Sequence, residues 1–183
     1  MAKEIAFFPQ KAMESILYIA SRLPRPTIHE VLKIRYFADK LHLSEYGFLA
    51  SGDEYVAMQY GPVASNTYNL LKAARGDQSE WLHPSFSVIA QDAIQVTRDH
   101  YVKCLRDPDT SQLSTADMSC LDEAIARYGH MGFGGRTQLS HDAAWQKAWN
   151  AASQDDVGQA PMPINEIAKT LDNAAEILDH LHT

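Results

Sequence analysis

The chain has 183 residues, 45% of them hydrophobic and 21% charged, which fits a globular domain with one core and excludes wholesale disorder or a coiled-coil rod. No apolar run approaches the roughly 18 residues of a membrane span, the N-terminal apolar stretch is too short for a secretion signal, and two cysteines exclude a disulfide framework or a multi-cysteine zinc site. A cytoplasmic protein is therefore expected, and the net charge of −7 makes it a poor general binder of polyanions, whose affinity rests on phosphate contacts.

The charge is uneven: residues 1–75 carry nine basic against seven acidic groups, whereas residues 151–183 carry Lys169 against six acids. Pro9 suits the first turn of a helix, and Met13, Ile16, Leu17 and Ala20 then form an apolar stripe at helical spacing. Leu23-Pro-Arg-Pro26 stops it. Thr27 and Glu30 fit a reciprocal capping box for a second helix, with Val31, Ile34, Phe37, Ala38 and Leu41 as its apolar face and Lys33, Asp39 and Lys40 mostly off it. Gly47 lies beyond its end, and residues 48–53 read as a turn. Alternation over Tyr55–Tyr60 predicts a short strand ended by Gly61-Pro62. A third helix is expected from Ser65 or Asn66, with Tyr68, Leu71 and Ala74 on one face and Gly76 as its stop.

Phe86, Val88, Ile94 and Val96 alternate with polar residues about Gln91-Asp92, which predicts a hairpin there. After a loop at 107–112, Ser114 and Asp117 resemble a capping box for a fourth helix through Met118, Leu121 and Ala124 to Tyr128. The glycine-rich stretch His130–Arg136 reads as a mobile loop, and Ser140 as the cap of a fifth helix carrying Trp145 and Trp149. The pattern predicts a first unit over 1–150, a polar linker over 151–163, and an amphipathic helix over 164–183 that packs on the domain or on a partner. The expected architecture is α-rich α+β, about six helices with a small antiparallel hairpin or sheet.

Motifs for chemistry are sparse. Cys104 and Cys120 lack histidines at ligand spacing and read as buried thiols; His180 and His182, two apart on a helix, point to different sides. The glycines of 129–135 lack the Gly-Lys-Ser/Thr ending of a Walker loop and follow a helix rather than a strand. Glu30, Asp39, Glu45, Asp53 and Glu54 read as a solvated face, and no nucleophile elbow is present. No metal, cofactor or catalytic residue is therefore expected. Two helices followed by a hairpin also fit a winged helix-turn-helix repressor, although the second helix mixes Lys33, Arg35 and Lys40 with Glu30, Asp39 and Glu45, a poor balance for reading DNA. Seven aromatics between Tyr36 and Tyr68 mark a core and, where exposed, a protein-binding face.

The order of several elements carries a resemblance. Lys33, Tyr36-Phe-Ala-Asp39, His42-Leu43, Tyr46-Gly47, Asp53, Tyr55, Ala57 and Gly61-Pro-Val63, with a later Leu139, His141 and Trp145, resemble the Panacea domain, also called the SocA-like or phage-associated GepA-like domain. The resemblance spans 11–149 in outline and is dense over 31–75. It implies an antitoxin that neutralises a cognate protein toxin by direct contact, with no catalytic residues; one relative resembles an adaptor that delivers its toxin to the ClpXP protease. The glycine-rich stretch and the acidic tail depart from the pattern. Lys33, Tyr36, Asp39, Tyr55, Tyr60, Gly61, Pro62, Val63, Phe133 and Arg136 are the candidate partner-binding residues, and the acidic C-terminal helix is a second candidate surface, suited to a basic toxin site.

Overall fold

The structure is a computed structural model that describes residues 6–77, 83–154 and 157–182. Among them the chain forms α1 (Pro9–Ala20), α2 (Ile28–Tyr46), β1 (Tyr55–Met58), β2 (Gly61–Ala64), α3 (Ser65–Arg75), α4 (Pro84–Ala93), β3 (Ile94–Val96), β4 (Val102–Cys104), α5 (Thr115–Tyr128), α6 (Phe133–Ser140), α7 (Ala143–Gln154), β5 (Ala160–Met162), α8 (Ile164–Ala168) and α9 (Ala174–His182), with a 3-10 turn at Thr110–Gln112. The architecture is α-rich α+β, with two small antiparallel sheets, ordered β2-β1-β5 and β3-β4.

Helix α2 is the axis of the molecule. Residues 31–39 are buried without interruption, so the helix is enclosed on every side rather than along one stripe. Helix α5, β2, α6, α1, α3, α8 and α9 all pack against it. Its start uses half of the expected box: Thr27 Oγ1 accepts the Glu30 N–H at 3.2 Å, while the Glu30 carboxylate turns away to Arg136 at 2.8 Å. Its end is set by Gly47 at φ +81, whose N–H reaches the Leu43 carbonyl at 3.0 Å. A Cβ at Gly47 would also lie 2.5 Å from the His180 ring of α9, so the same glycine lets the C-terminal helix close on α2.

Several expectations are corrected by the fold. The predicted hairpin about Gln91-Asp92 is instead helix α4, because Ala90 and Ala93 are buried one helical turn apart behind a proline at the first position. The hairpin lies later, with Ile94 opposite Cys104 and Val96 opposite Val102. The strand expected over Tyr55–Tyr60 ends at Met58, before Gly61-Pro62, and Gly61-Pro62 opens a second strand that was not expected, β2, with Met58 opposite Gly61. Helix α3 has no cap from Ser65 or Asn66; a distant carboxylate caps it, as described below. The glycine-rich stretch is a short turn and then helix α6 from Phe133. Helix α7 is capped by Asp142, which accepts the Ala144 and Trp145 N–H groups, and not by Ser140. The Ser114–Asp117 box is fully reciprocal.

The segment expected as a linker contains β5, which pairs with β1 through Tyr55 opposite Met162 and Ala57 opposite Ala160; residues 155 and 156 of that segment lie outside the described residues. The single C-terminal helix is two. They are separated where Asn173 exchanges hydrogen bonds with Ser44, its amide donating to the Ser44 carbonyl and its oxygen accepting the Ser44 hydroxyl, both at 2.9 Å. Ile167, Ala168 and Ile177 are buried in the common core.

Candidate functional site

The signature residues of α2 point inward as well as outward, and together they assemble a buried polar frame. Arg35 and Asp39, one helical turn apart, pair at 3.2 Å with both side chains buried. Arg35 also donates to the hydroxyls of Ser15, at 2.6 Å, and Ser51. Asp39 accepts the Tyr55 hydroxyl at 2.7 Å and the Ala50 N–H at 3.1 Å. Burial, reinforced by Asp39, holds the Tyr55 phenol well above its ordinary range, so it stays a donor. The Tyr36 hydroxyl donates to Asp142 at 2.7 Å, and burial together with Asp142 raises its pKa in the same way. Lys40 joins that carboxylate at 2.9 Å, so Asp142 locks α2 to the cap of α7.

Two more carboxylates complete the frame. Asp53, expected on a solvated face, is buried and serves as the cap of α3: one oxygen accepts the Glu54 and Asn66 N–H groups at 2.8 and 2.9 Å, the other the Thr67 N–H and hydroxyl at 2.9 and 2.6 Å. A buried carboxylate with four donors is satisfied and has no lone pair left for a partner. Asp117 lies between His42 at 3.3 Å and Lys11 at 2.8 Å. Burial opposes its charge, but His42, Lys11 and Ser114 outweigh burial and hold its carboxyl far below the usual range. Cys120 is a buried thiol pushed up to about 12, and half-buried Cys104 is also raised by burial, so neither is a nucleophile near neutral pH. Among the described residues no group of three histidine, cysteine or acidic side chains could hold a metal ion, and no helix is long and apolar enough to cross a membrane.

The ten candidate partner-binding residues divide by burial. Lys33, Tyr36, Asp39, Tyr55, Gly61, Pro62, Val63 and Arg136 are buried, whereas Tyr60 and Phe133 are 53% and 50% exposed. Arg136 is fastened by Glu30 and by the Tyr128 and Met131 carbonyls, which closes the turn between α5 and α6. Gly61, at φ +103, sits where a Cβ would meet Ser140 Oγ at 2.5 Å and Lys33 Cε at 2.9 Å, so only glycine allows β2 to lie on α2 and α6. Lys33 and Arg35 of α2 are internal, so that helix offers neither to a nucleic-acid groove.

Tyr60 and Phe133 stand at the mouth of a groove of about 610 Å³ between α2, the β1–β2 turn and the start of α6. Their rings meet edge to face at 5.5 Å, and the other side of Phe133 lies on the His29 ring at 4.0 Å. Leu32, Val63 and Lys33 are among the buried residues lining the groove. Lys33 Nζ donates to the Pro62 carbonyl at 2.7 Å. Sequence reasoning places Asp117 in a capping box but not beside His42 and Lys11, and it misses Asp142 and the groove residue His29; of these two only Asp142 carries a signal, an acid three residues before Trp145 at a helix start.

A family model described as antitoxin SocA-like, Panacea domain, matches residues 31–146. The match covers more than half of the chain and runs from the first turn of α2 to Gln146 of α7, and the chain belongs to this antitoxin family. No curated protein and no solved structure matches it.

Proposed function

We propose that this chain is an antitoxin that captures a cognate protein toxin by direct contact, making and breaking no covalent bond. The supporting observation is the contrast among the candidate residues: the hydroxyls and carboxylate of Tyr36, Tyr55 and Asp39 are bonded inside the fold, while Tyr60 and Phe133, which lie outside the signature, are half-exposed with their rings in contact. Large exposed rings are the side chains that anchor interfaces, because they bury much area at low entropic cost. A toxin footprint of standard size, on the order of 1,600 Å² in total, centred on these rings would cover the groove mouth. Exposed Asp172 and Glu176, outside the matched span, add negative potential that steers a basic partner.

The test is co-expression with the product of the adjacent gene. Rescue from toxicity, co-purification of the two chains, and persistence of rescue in cells lacking the ClpX unfoldase are expected of capture. Rescue without any complex contradicts it.

A further inference from the structure

Lys33 is the exception within the buried frame. Lys11, Arg35, Lys40, Arg106 and Arg136 each reach a carboxylate within 4.0 Å, but Lys33, only 1% exposed, has none among the described residues. Among the described residues its one hydrogen bond goes to the Pro62 carbonyl, so two of its three N–H donors meet no acceptor there. A buried ammonium without a counter-charge is expensive, and burial lowers this amine to about 7. The groups around it do not compensate. Its other neighbours are the rings of His29 and His141, whose protonation burial disfavours with Lys33 itself contributing, and the Ser140 hydroxyl beneath Gly61. Farther out, Arg136 is already paired with Glu30, Asp142 with Tyr36 and Lys40, and Asp99 and His100 lie on the groove wall.

Lys33 is among the residues lining a concavity of about 610 Å³, within the range of small-molecule sites, that Tyr60 and Phe133 also line. We propose that this groove binds a small molecule with a flat, apolar body and one anionic group, the body lying against Tyr60 and Phe133 and the anion meeting Lys33. The volume favours a compact ligand, the rings favour a flat one, and the missing carboxylate specifies the sign of its charge. This inference is separate from the antitoxin reading, since a chain whose groove takes no small ligand can still capture a toxin on its surface.

Two dyes with nearly the same body test it on the full chain: anilinonaphthalene sulfonate, which is anionic, and N-phenylnaphthylamine, which is not. The anionic dye should bind at one saturable site at pH 7, at least tenfold tighter than the neutral dye. Replacing the exposed ring (Phe133→Ala) should weaken both, and Lys33→Met should remove the preference for the anion. Raising the pH from 7 to 9, above the ordinary histidine range, should weaken only the anionic dye, by more than tenfold, as the amine loses its proton. The pH series needs no variant, so it decides the matter even where Lys33→Met does not fold. Equal affinity for both dyes, or an anionic affinity flat from pH 7 to 9, overturns the proposal.

Discussion

Lys33 also governs how stability responds to alkali. In the unfolded chain its amine titrates near the ordinary lysine value, whereas in the folded chain it does so at about 7. Between those values the unfolded state holds more protons, so stability rises with pH. The contribution between pH 7 and 9 is on the order of 2 kcal/mol, and thermal melts of the wild type should show a gain over that interval that Lys33→Met lacks. His29 acts at the other end. Its folded-state value of about 3, set first by burial and then by Lys33 and Arg136, means that the unfolded chain takes the proton first on acidification. It therefore removes stability as pH falls from about 6.5 towards 3, and His29→Phe should flatten that part of the acid profile. Asp53 is the most exposed to a single change of chemistry: Asp53→Ala frees three backbone N–H groups and a hydroxyl inside the protein, and should cost about 2 kcal/mol or more in denaturant unfolding.

At the level of elements, the helices whose starts carry a capping or proline signal are legible in the sequence: α1 starts at Pro9, α2 follows Thr27, and α5 follows its capping box. What the sequence could not show was the burial of Arg35, Asp39 and Asp53. A charged side chain is solvated by default, and its place inside depends on partners far along the chain, such as Ser15, Ser51, Tyr55 and Thr67. Helix α4 is hidden in the sequence because Phe86, Val88, Ile94 and Val96 mimic a two-residue period, while the burial of Ala90 and Ala93 is what keeps 84–93 helical. Strand β5 is not legible in the sequence, because three residues carry no detectable alternation. Its register with β1 has a consequence: a chain ending at residue 153 loses β5, α8 and α9, leaves Tyr55 and Ala57 without their strand partner and removes the Asn173–Ser44 bonds. Such a chain should lack a cooperative thermal transition, so loss of toxin binding by truncation would report unfolding rather than recognition. At the turn between β1 and β2, Gly61→Ala meets both a disfavoured φ and the Ser140–Lys33 contact, and should destabilise by about 1–3 kcal/mol in the same unfolding assay.

For the whole molecule, the division of labour is between an internal polar frame and a small exposed aromatic face. The frame ties α2 to α1, α5, α7 and the first sheet, and the turn before β1 to α3, and so holds the scaffold on which Tyr60 and Phe133 stand. The candidate residues read from the sequence thus fall into two kinds that no spacing rule separates: Tyr36 and Tyr55 have their hydroxyls bonded internally, and Tyr60 does not. The central claim is that a toxin is held by the exposed kind. The direct measurement is the affinity of the purified chain for its toxin, in wild type and in the double variant Tyr60→Ser, Phe133→Ser, with the melting temperature of each recorded alongside. The account predicts a loss of at least a hundredfold in affinity with little change in melting; full affinity in a folded double variant would contradict it.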